Sequence, residues 1–579
     1  MNFKNIIYSL ITAFCLYSCS DDLLDTQPLS EITAETFFNT SSDLQLYTNG
    51  FYRMWPSTSI YNGDAITDNI IQTELSDEIR GTRLVPSTGG GWDWEYLKDI
   101  NFFLQEYEKC EDEAAKAHYG GVAHFFRARF YFDKLQRFGA LPWYDKPISP
   151  DDIEALTKPR DSRAFIVAKI LEDLDWAIAN LKSEKNTYEV NKYTALALKS
   201  RVGLYEGTFQ KYRENSGYET YLEASVSASL ELIDNSPYQI YTTGTPNMDY
   251  LELFNAHNAN ETEIILARAY SKDLSIGHNV NYYTTTSSYG RPGMTKDLVN
   301  SYLNSDGSRF TDAPNYDKTP FIEEVKNRDP RLSQTIRTPG YTRKGQSIPL
   351  APNLGATVTG YQIIKYVTEP VYDTNNQSIT DLPIYRLGEV VLNYAEAKAE
   401  LGTLTQIDLD KSINLLRKRI NMPNLNLDKS NTTPDTFMAN QYTNVTGGNK
   451  GVILEIRRER RIELYMEDFR WDDVVRWKAG QTLTQPIRGL YFPGPGSYDL
   501  TGNSETNVVI YEGDRPDNTI SGVQYYKLGS DISLDANGLV DPHPDYNSRQ
   551  FNENKDYLYP IPRLELQLNP NLEQNPNWN

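Results

Sequence analysis

The stretch GGVAHFFRARFYFDKLQRFGALP, residues 120–142, decides the character of the fold because its apolar spacing is that of a packed helix. Gly139 supplies a C-terminal stop and Pro142 follows just beyond it, as is common at helix ends. The stretch therefore predicts a helix over residues 121–138 that ends in a sharp turn. The apolar residues that recur along it are Val122, Phe125, Phe126, Ala128, Phe130, Phe132 and Leu135.

Similar apolar spacing predicts further helices on both sides of this stretch. Ala195 and Gly203 are small enough to let neighbouring helices approach closely. Consecutive antiparallel helix pairs with small contact residues are typical of tetratricopeptide-type repeats, so we expect a helical solenoid. The predicted helices cover residues 41–54, 93–113, 161–181, 193–205, 221–233, 383–401, 409–420 and 452–478, the last with a break near Phe469.

Two regions have the composition of loops. Residues 235–380 are rich in Pro, Gly, Asn, Thr and Tyr, which predicts loops with short strands. Residues 80–91 end in three glycines and lead directly into Trp92 and Trp94. Binding residues tend to lie on long loops that a rigid scaffold holds in place. The Pro- and Asn-rich tail 557–578 is predicted to lie pinned across the surface.

A cluster of arginines on the predicted helix 452–478 has the appearance of an anion site. Glutamates interleave with the arginines within reach along one helix. We interpret the cluster as an ion-pair face that is satisfied within its own helix, rather than as a phosphate site. The residues are Arg457, Arg458, Arg460 and Arg461 with Glu455, Glu459, Glu463 and Glu467.

The first residues have the pattern of a lipoprotein export signal. Lys4 supplies a positive charge, residues 6–16 form an apolar run, and Ser18 precedes Cys19. The run covers only about half of the roughly 20 residues that a membrane-spanning helix needs. We therefore predict that residues 1–18 are a signal peptide, that Cys19 is lipidated, and that residues 19–42 tether the fold to a membrane.

Composition excludes some classes of partner. The 57 Lys and Arg against 78 Asp and Glu give a net charge of −21, which argues against electrostatic binding of nucleic acid or anionic lipid.

Cys110 has no partner for a disulfide and is predicted to be a small buried hydrophobe, with a reactive thiol as the alternative. The 41 Tyr and 8 Trp offer flat apolar faces with polar edges, which suit sugar rings and peptides alike.

The motifs of catalysis and of metal binding are missing from the sequence. The five histidines form no zinc-binding motif, and there is no Gly-x-Ser-x-Gly elbow, phosphate-cradling glycine loop or dinucleotide fingerprint. We therefore expect no enzyme, no cofactor and no catalytic metal. The many carboxylates leave two alternatives open, a calcium site and a pair of glycosidase acids.

Taken together, these segments resemble the SusD/RagB family of outer-membrane lipoproteins. The resemblance extends over essentially the whole mature chain and rests on several motifs in a fixed order. They are residues 120–128 with the turn FGALP at 138–142, residues 295–307, RDPRL at 328–332, residues 386–397, ERRIEL at 459–464 with RWDDVVRW at 470–477, and YPIP at 559–562 with NPNLEQNP at 569–576.

The resemblance implies a mainly α fold in which a tetratricopeptide-like scaffold carries a loop-rich α+β remainder. Residues 43–579 would then form one unit, with the scaffold at about 43–235 and 383–480 and the ligand-facing part at about 236–382 and 481–579. It also implies a non-catalytic binder of oligosaccharides, lipid-anchored on the outer membrane and facing the cell exterior. Its partner would be a SusC-like TonB-dependent transporter, on which it acts as a lid. Ser20, Asp21 and Asp22 are similar to the family's export tag to the outer face.

The resemblance points to two regions for the ligand, the loops between the first helices and the loop before Thr295. The residue types fit this role, because a ring can stack on a sugar face while Asp or Arg binds its hydroxyls. For Trp92 and Trp94, packing into the core is the alternative. The candidate residues are Asp64, Asp68, Trp92 and Trp94 in the first region and Tyr282, Tyr283, Tyr289 and Arg291 in the second.

Two other functions stay open at this point. A member of the same family could bind oligopeptides instead of oligosaccharides, and a surface glycoside hydrolase could use a carboxylate pair. Neither the sugar nor its linkage follows from the sequence.

Overall fold

The computed structural model describes residues 37–578, so the predicted signal peptide, the lipidation at Cys19 and most of the predicted tether lie outside the described residues. Within this range every helix is too short or too polar to span a bilayer. The long helices are α1 (Ser41–Asn49), α2 (Glu95–Glu106), α3 (Glu113–Phe138), α4 (Arg163–Asn180), α5 (Lys192–Lys211), α6 (Tyr218–Asn235), α7 (Leu387–Glu400) and α8 (Lys450–Glu463).

Short helices of four to seven residues connect these long ones. They are Ser59–Asn62, Asp77–Arg80, Ile153–Leu156, Asp249–Asn255, Val280–Thr285, Lys296–Ser301, Phe321–Glu324, Pro330–Ser333, Gln406–Asp410, Ile413–Arg419, Leu427–Thr432, Thr436–Gln441, Arg470–Arg476 and Arg563–Leu568.

Helix α3 contains the stretch that predicted the fold, and it begins eight residues earlier than expected. The Asp112 carboxylate accepts hydrogen bonds from the backbone N–H groups of Ala114 and Ala115, both at 3.0 Å, and so caps the helix. The prediction of one helix over residues 93–113 is therefore wrong at its end, because this cap starts a new helix. The other end is as predicted, with the Gly139 N–H donating to the Leu135 carbonyl at 2.9 Å.

Helices α3 to α7 stack in sequence order as the scaffold. Helix α3 packs on α4, α4 on α5, α5 on α6, and α7 on both α5 and α6. At the α5–α6 contact, a Cβ on Gly203 would lie 2.6 Å from the Tyr221 carbonyl oxygen, so only glycine permits this approach. The predicted role of Gly203 and the predicted tetratricopeptide-like, mainly α architecture are confirmed.

Seven short strands form three small sheets in the part of the chain that the structure describes. β1 (Ile70–Ile71) pairs antiparallel with β3 (Gly293–Met294), and β2 (Ile264–Arg268) pairs antiparallel with β4 (Leu382–Arg386). The third sheet has the order β5 (Gly496–Tyr498), β6 (Val508–Tyr511) and β7 (Gln524–Lys527).

Strand β4 corrects the prediction of a helix over residues 383–401. Leu382–Arg386 pairs with β2, and α7 begins only at Leu387. All five residues of β4 are buried, so the segment has no alternation that would mark it as a strand. Pro383 is tolerated because β4 has only one partner strand, which leaves the other edge free of ladder bonds.

The two C-terminal helices that the sequence predicts are each divided. The predicted helix 409–420 is divided between the helices Gln406–Asp410 and Ile413–Arg419. At the break, the Ser412 hydroxyl donates a hydrogen bond to the Asp408 carbonyl. The expected break in 452–478 lies between α8 and Arg470–Arg476, where Met466 and Asp468 both have positive φ.

The arginines and glutamates of α8 are buried, and this corrects the prediction of a self-satisfied helix face. Only Arg458 pairs within the helix, with Glu455. The other partners lie on distant segments: Arg386 at the end of β4 donates to Glu463 at 2.9 Å, and Arg331 donates to Glu459 at 2.9 Å. The buried ion network, as we name it, comprises Glu263, Asp329, Arg331, Lys365, Arg386, Arg417, Arg419, Glu459, Glu463 and Glu467.

The C-terminal tail is fixed to the end of α3. The Asn575 side-chain amide donates to the Phe138 carbonyl at 3.0 Å, and the Tyr559 N–H donates to the Arg137 carbonyl at 2.8 Å. Trp578 is buried near the end of the chain. The tail is therefore pinned as predicted, and it packs into the protein as well as crossing its surface.

One large cluster of buried apolar side chains extends from Phe38 to Ile561. Cys110 belongs to this cluster, which confirms its prediction as a buried hydrophobe. The division of residues 43–579 into a scaffold and a ligand-facing part stays a prediction.

We expect Glu463→Gln to lower the free energy of unfolding by about 3–5 kcal/mol, because it leaves buried arginines without their shared carboxylate. Glu463 accepts from Arg331, Arg386 and Arg419, and none of these side chains is more than 2 % exposed. Urea unfolding followed by circular dichroism measures the change. Glu172→Gln is the control, because its exposed pair with Lys169 contributes about 0–1 kcal/mol. Equal stability of the two variants would contradict the role of the network.

Stability should also fall as the pH drops below about 4.5. Burial alone would raise the pKa of Glu463, but Arg419, Arg386 and Arg331 outweigh it and hold that pKa far below its usual range. The pKa values of Glu459 and Glu467 are lowered in the same way. The unfolded chain therefore takes up protons first as the pH falls, and the stability is lost towards the folded-state pKa. A urea midpoint that stays constant from pH 4.5 to 3 would be inconsistent with this expectation.

Candidate ligand-binding surface

The pairing of β1 with β3 brings the two predicted ligand regions together. Ile70 lies opposite Met294 and Ile71 opposite Gly293 in an antiparallel register. Just beyond the pair, the Thr73 N–H donates to the Gly290 carbonyl at 2.9 Å. Residues 72–73, which follow the first region's Asp68, therefore lie against residues 282–291 of the second region.

Three tyrosines form the most conspicuous aromatic group at this junction, and we name them the tyrosine platform. The rings of Tyr282 and Tyr289 stack with centroids 5.4 Å apart and planes inclined by 22°. Tyr289 is 37 % exposed and Tyr282 is half-buried, whereas Tyr283 lies buried beneath, edge-on to Tyr289. Exposed stacked rings of this kind offer an apolar face for the C–H groups of a sugar.

Hydrogen bonds hold the tyrosine platform in place. Gln72 Nε2 donates to the Tyr283 hydroxyl at 2.5 Å, and the Tyr282 hydroxyl lies 2.9 Å from the Ser288 hydroxyl. The Gln72 carbonyl in turn lies 2.7 Å from His543 Nε2. Burial lowers the pKa of His543, so its imidazole is neutral near pH 7 and Nε2 carries the proton that it donates.

A polar cavity of about 200 Å³ lies beside the residues that hold the tyrosine platform. Its lining includes Thr73, which follows Gln72 in the chain, and Arg291, which lies two residues after Tyr289. Arg291 Nη2 donates to the Leu354 carbonyl at 2.8 Å. Burial raises the pKa of Tyr526, another lining residue, to about 12, so its phenol stays protonated and donates to Gln524 Oε1 at 2.9 Å. The remaining polar lining residues are Thr357, Ser530, Asp531, Ser533, Asp541 and His543.

Asp64 and Asp68 lie in the interior, where they bind groups of the protein itself. Asp64 is 1 % exposed and accepts from the Met466 N–H at 2.9 Å, and burial raises its pKa. Asp68 accepts two hydrogen bonds at 2.7 Å from Arg470 and one at 3.0 Å from Arg461. The observed contacts of both aspartates are structural, and a direct ligand contact by either one stays a prediction.

Trp92 and Trp94 line a different cavity. Gly89, Gly90 and Gly91 all have positive φ and turn the chain so that Trp92 packs edge-on against Phe138 at 5.0 Å. Trp94 is half-buried as the residue that precedes α2. Both tryptophans line an apolar groove of about 620 Å³ with Tyr144, Leu568 and Leu572. The predicted first region therefore does not form one site. Asp64 and Asp68 lie in the interior, Trp92 and Trp94 line the apolar groove, and only residues 72–73 lie against the second region.

A third cavity of about 350 Å³ lies between α3 and the break after α8. Its charged lining residues include Asp468, Asp472, Arg129 and Arg201. Burial and the neighbouring Asp473 raise the pKa of Asp472 to about 7. Among residues 37–578, no three His, Cys, Asp or Glu side chains are arranged to hold a metal ion.

The sequence prediction missed several residues of the surface. Gln72, Thr73, Thr357, Tyr526 and His543 come from four separate parts of the chain and belong to no motif. Only the pairing of β1 with β3 and the packing of residues 354–360 and 526–543 bring them together. The family resemblance and the Tyr-rich composition of residues 281–290 pointed to Tyr282 and Tyr289, and neither signal identifies these other residues.

The fold defines this protein as a mainly α protein with a tetratricopeptide-like scaffold and a loop-rich remainder. The family model described as the SusD family matches residues 262–578, more than half of the chain. The chain belongs to the SusD family, which confirms the resemblance found in the sequence.

Curated relatives and solved structures agree with this assignment. The SusD-like protein P38 of Formosa agariphila is 24 % identical over 522 residues, which cover 84 % of this chain and 94 % of the relative. The SusD-like protein P2 of the same organism is 23 % identical and covers 99 % of both chains. A SusD-like carbohydrate-binding protein of Bacteroides fragilis superposes with a TM-score of 0.69 at 23 % identity, over 93 % of this chain and 100 % of that one.

We expect Trp92→Ala to lower the free energy of unfolding by about 3–5 kcal/mol, because it removes a large buried ring. Tyr289→Ala should cost about 1 kcal/mol or less, because that ring is exposed and contributes mainly one aromatic contact. Urea unfolding of both variants measures the difference. If Trp92→Ala were as stable as Tyr289→Ala, Trp92 would not be a core residue.

Proposed function

We propose that this protein is a non-catalytic glycan-binding protein that captures oligosaccharides and delivers them to a SusC-like TonB-dependent transporter. The observation that carries the proposal is the stacked pair of half-buried Tyr282 and exposed Tyr289 near a polar cavity. Family membership supports it, and one structural neighbour is described as carbohydrate-binding.

The tyrosine platform and the cavity offer complementary contacts for a sugar. The rings of Tyr282 and Tyr289 suit the apolar C–H face, while Arg291, Tyr526 and the serines of the cavity suit the hydroxyl groups. The platform rests on buried Tyr283, so it is held before a ligand arrives. Such preorganisation lowers the entropy lost on binding.

The carboxylates of the cavity support binding rather than hydrolysis. Asp541 pairs with Arg488 at 3.2 Å, and Asp531 accepts from the Lys527 N–H at 2.9 Å. A glycosidase needs one carboxylic acid that is free to protonate the leaving oxygen and a second group positioned across the bond. Both carboxylates here serve instead to hold neighbouring backbone and side chains.

The proposal includes attachment at the outer face of the outer membrane. Lipidation of Cys19 would hold the protein beside its transporter, and residues 19–42 would give it the slack to move as a lid. The acidic residues after Cys19 would direct export to the outer face. These parts rest on the sequence pattern and on membership of the SusD family.

We expect Tyr282→Ala and Tyr289→Ala each to weaken glycan binding by about 1–2 kcal/mol, a factor of about 5–30 in Kd. Affinity gels with a panel of polysaccharides identify the ligand, and calorimetry on its oligosaccharides measures Kd. Tyr188→Ala is the matched control, because Tyr188 is 40 % exposed but lies outside this surface. Binding of peptides and of no polysaccharide would favour the oligopeptide alternative, and release of shortened products would favour a hydrolase.

A further inference from the structure

The cavity of about 350 Å³ between α3 and the break after α8 is large enough to hold a small ligand, and we name it the Trp471 cavity. Binding sites for small molecules typically measure about 300–1,000 Å³. The Trp471 cavity shares no lining residue with the polar cavity near the tyrosine platform. Asp468 lines it and is exposed, so a ligand can enter from solvent.

The carboxylate of Asp468 has few partners inside the protein. It accepts a hydrogen bond from the Ser59 hydroxyl, and it has no ion pair within residues 37–578. Another carboxylate of the lining, Asp133, pairs with Arg129 at 3.0 Å. Asp468 therefore has acceptor capacity left for a ligand.

Trp471 supplies an unused donor to the same cavity. Its ring is half-buried and packs against the ring of Tyr559, with the centroids 6.0 Å apart. In the part of the chain that the structure describes, no group accepts a hydrogen bond from Trp471 Nε1, and this nitrogen keeps accessible surface. The cavity thus offers an accessible donor as well as an accessible acceptor.

The charges of the Trp471 cavity favour a neutral ligand. Its lining contains three arginines and four carboxylates, and several of them are paired within the protein, such as Arg201 with Glu389 at 2.6 Å. Nearly balanced charges give neither a cation nor an anion a strong electrostatic advantage. A hydroxyl group both donates and accepts, so hydroxyls can satisfy Asp468 and Trp471 without bringing a charge.

We propose that the Trp471 cavity is a second carbohydrate-binding site, which takes one sugar unit of a glycan through its hydroxyl groups. Asp468 accepts a hydrogen bond from one hydroxyl, and Trp471 Nε1 donates to another. A hydrogen bond to a carboxylate is stronger than one between neutral groups, so Asp468 contributes the larger share of the affinity. This inference extends the proposed function, on which the choice of a sugar as ligand rests.

Gly63 positions the carboxylate of Asp468. A Cβ on Gly63 would overlap Asp468 Oδ1, so the carboxylate lies where only glycine leaves room for it. The φ of Gly63 is −60°, which alanine adopts equally well. Gly63→Ala therefore displaces the carboxylate without straining the backbone and without changing any charge.

The test is NMR of the 15N-labelled protein, in which each of the 8 Trp gives one indole N–H signal. Trp471→Phe identifies the Trp471 signal by its loss. The probes are the methyl glycosides of glucose, galactose, mannose and xylose, and the oligosaccharide that affinity gels select. We expect at least one of these sugars to shift the Trp471 signal to saturation, because Nε1 gains an acceptor.

Two substitutions should raise the midpoint of this titration. Asp468→Asn should raise it about tenfold because it removes the charge, and asparagine tolerates the φ of 66° at this position. Gly63→Ala should raise it by a similar factor with the charge retained. Asp273→Asn is the control for charge, because Asp273 is exposed and lines neither cavity. Gly50→Ala is the control for the methyl group, because its Cβ meets nothing within 4 Å and its φ is −62°.

The outcomes separate this inference from the proposed function. If calorimetry shows oligosaccharide binding but no sugar shifts the Trp471 signal, the inference is overturned and glycan binding stands. A midpoint that Asp468→Asn and Gly63→Ala both leave unchanged also overturns it, provided that the other indole signals show a folded protein. A shift with triglycine and with no sugar assigns the cavity to peptides and overturns it as well. Binding of no sugar by NMR, by calorimetry or on the gels overturns both.

Discussion

The carboxylate of Glu463 is the constraint on which the rest of the structure depends. It lies on α8 and accepts hydrogen bonds from arginines at the end of β4, in Ile413–Arg419 and in Pro330–Ser333. Removing one member of such a buried pair leaves a charge in a medium that cannot solvate it. The network therefore fixes α8 relative to segments as distant in sequence as Pro330–Ser333. Apolar contacts alone would specify this arrangement less precisely.

The same helix fixes the position of the candidate surface. Arg461 on α8 donates to Asn69 at 2.8 Å and to Asp68, and the Thr295 hydroxyl donates to the Asp68 carbonyl at 2.7 Å. These bonds hold the start of β1 against the residue that follows β3. Beyond this fixed pair lie Gln72 and Thr73 on one side and Tyr289 and Arg291 on the other. Asp68 thus helps to position the candidate surface, and its predicted contact with the ligand stays a prediction.

The sequence predicted what depends on local periodicity and missed what depends on distant partners. Helix α3 and the turn at Gly139 follow from spacing along one segment. Strand β4 does not, because its five residues are all buried and only pairing with β2 makes them extended. The spacing of arginines and glutamates along α8 predicted ion pairs within the helix. Most of these arginines instead have their partners on other elements. Tyr282 and Tyr289 became candidates through the family resemblance and the Tyr-rich composition of their loop, whereas Thr357 and His543 reach the cavity only through tertiary packing.

The family motifs consist of buried residues, whereas the candidate ligand contacts are on exposed loops. The motifs therefore identify the fold but do not identify the ligand. RDPRL and ERRIEL contain Arg331, Glu459 and Glu463, whose oxygens and nitrogens are fully used inside the protein. A substitution there is costly, because it leaves a buried charge without its partner. Tyr289 and Arg291 lie on loops beside the fixed β1–β3 pair, where a change alters the surface at little cost to stability. The buried interior therefore permits these loops to change, and the proposed recognition surface lies where substitutions disturb the interior least.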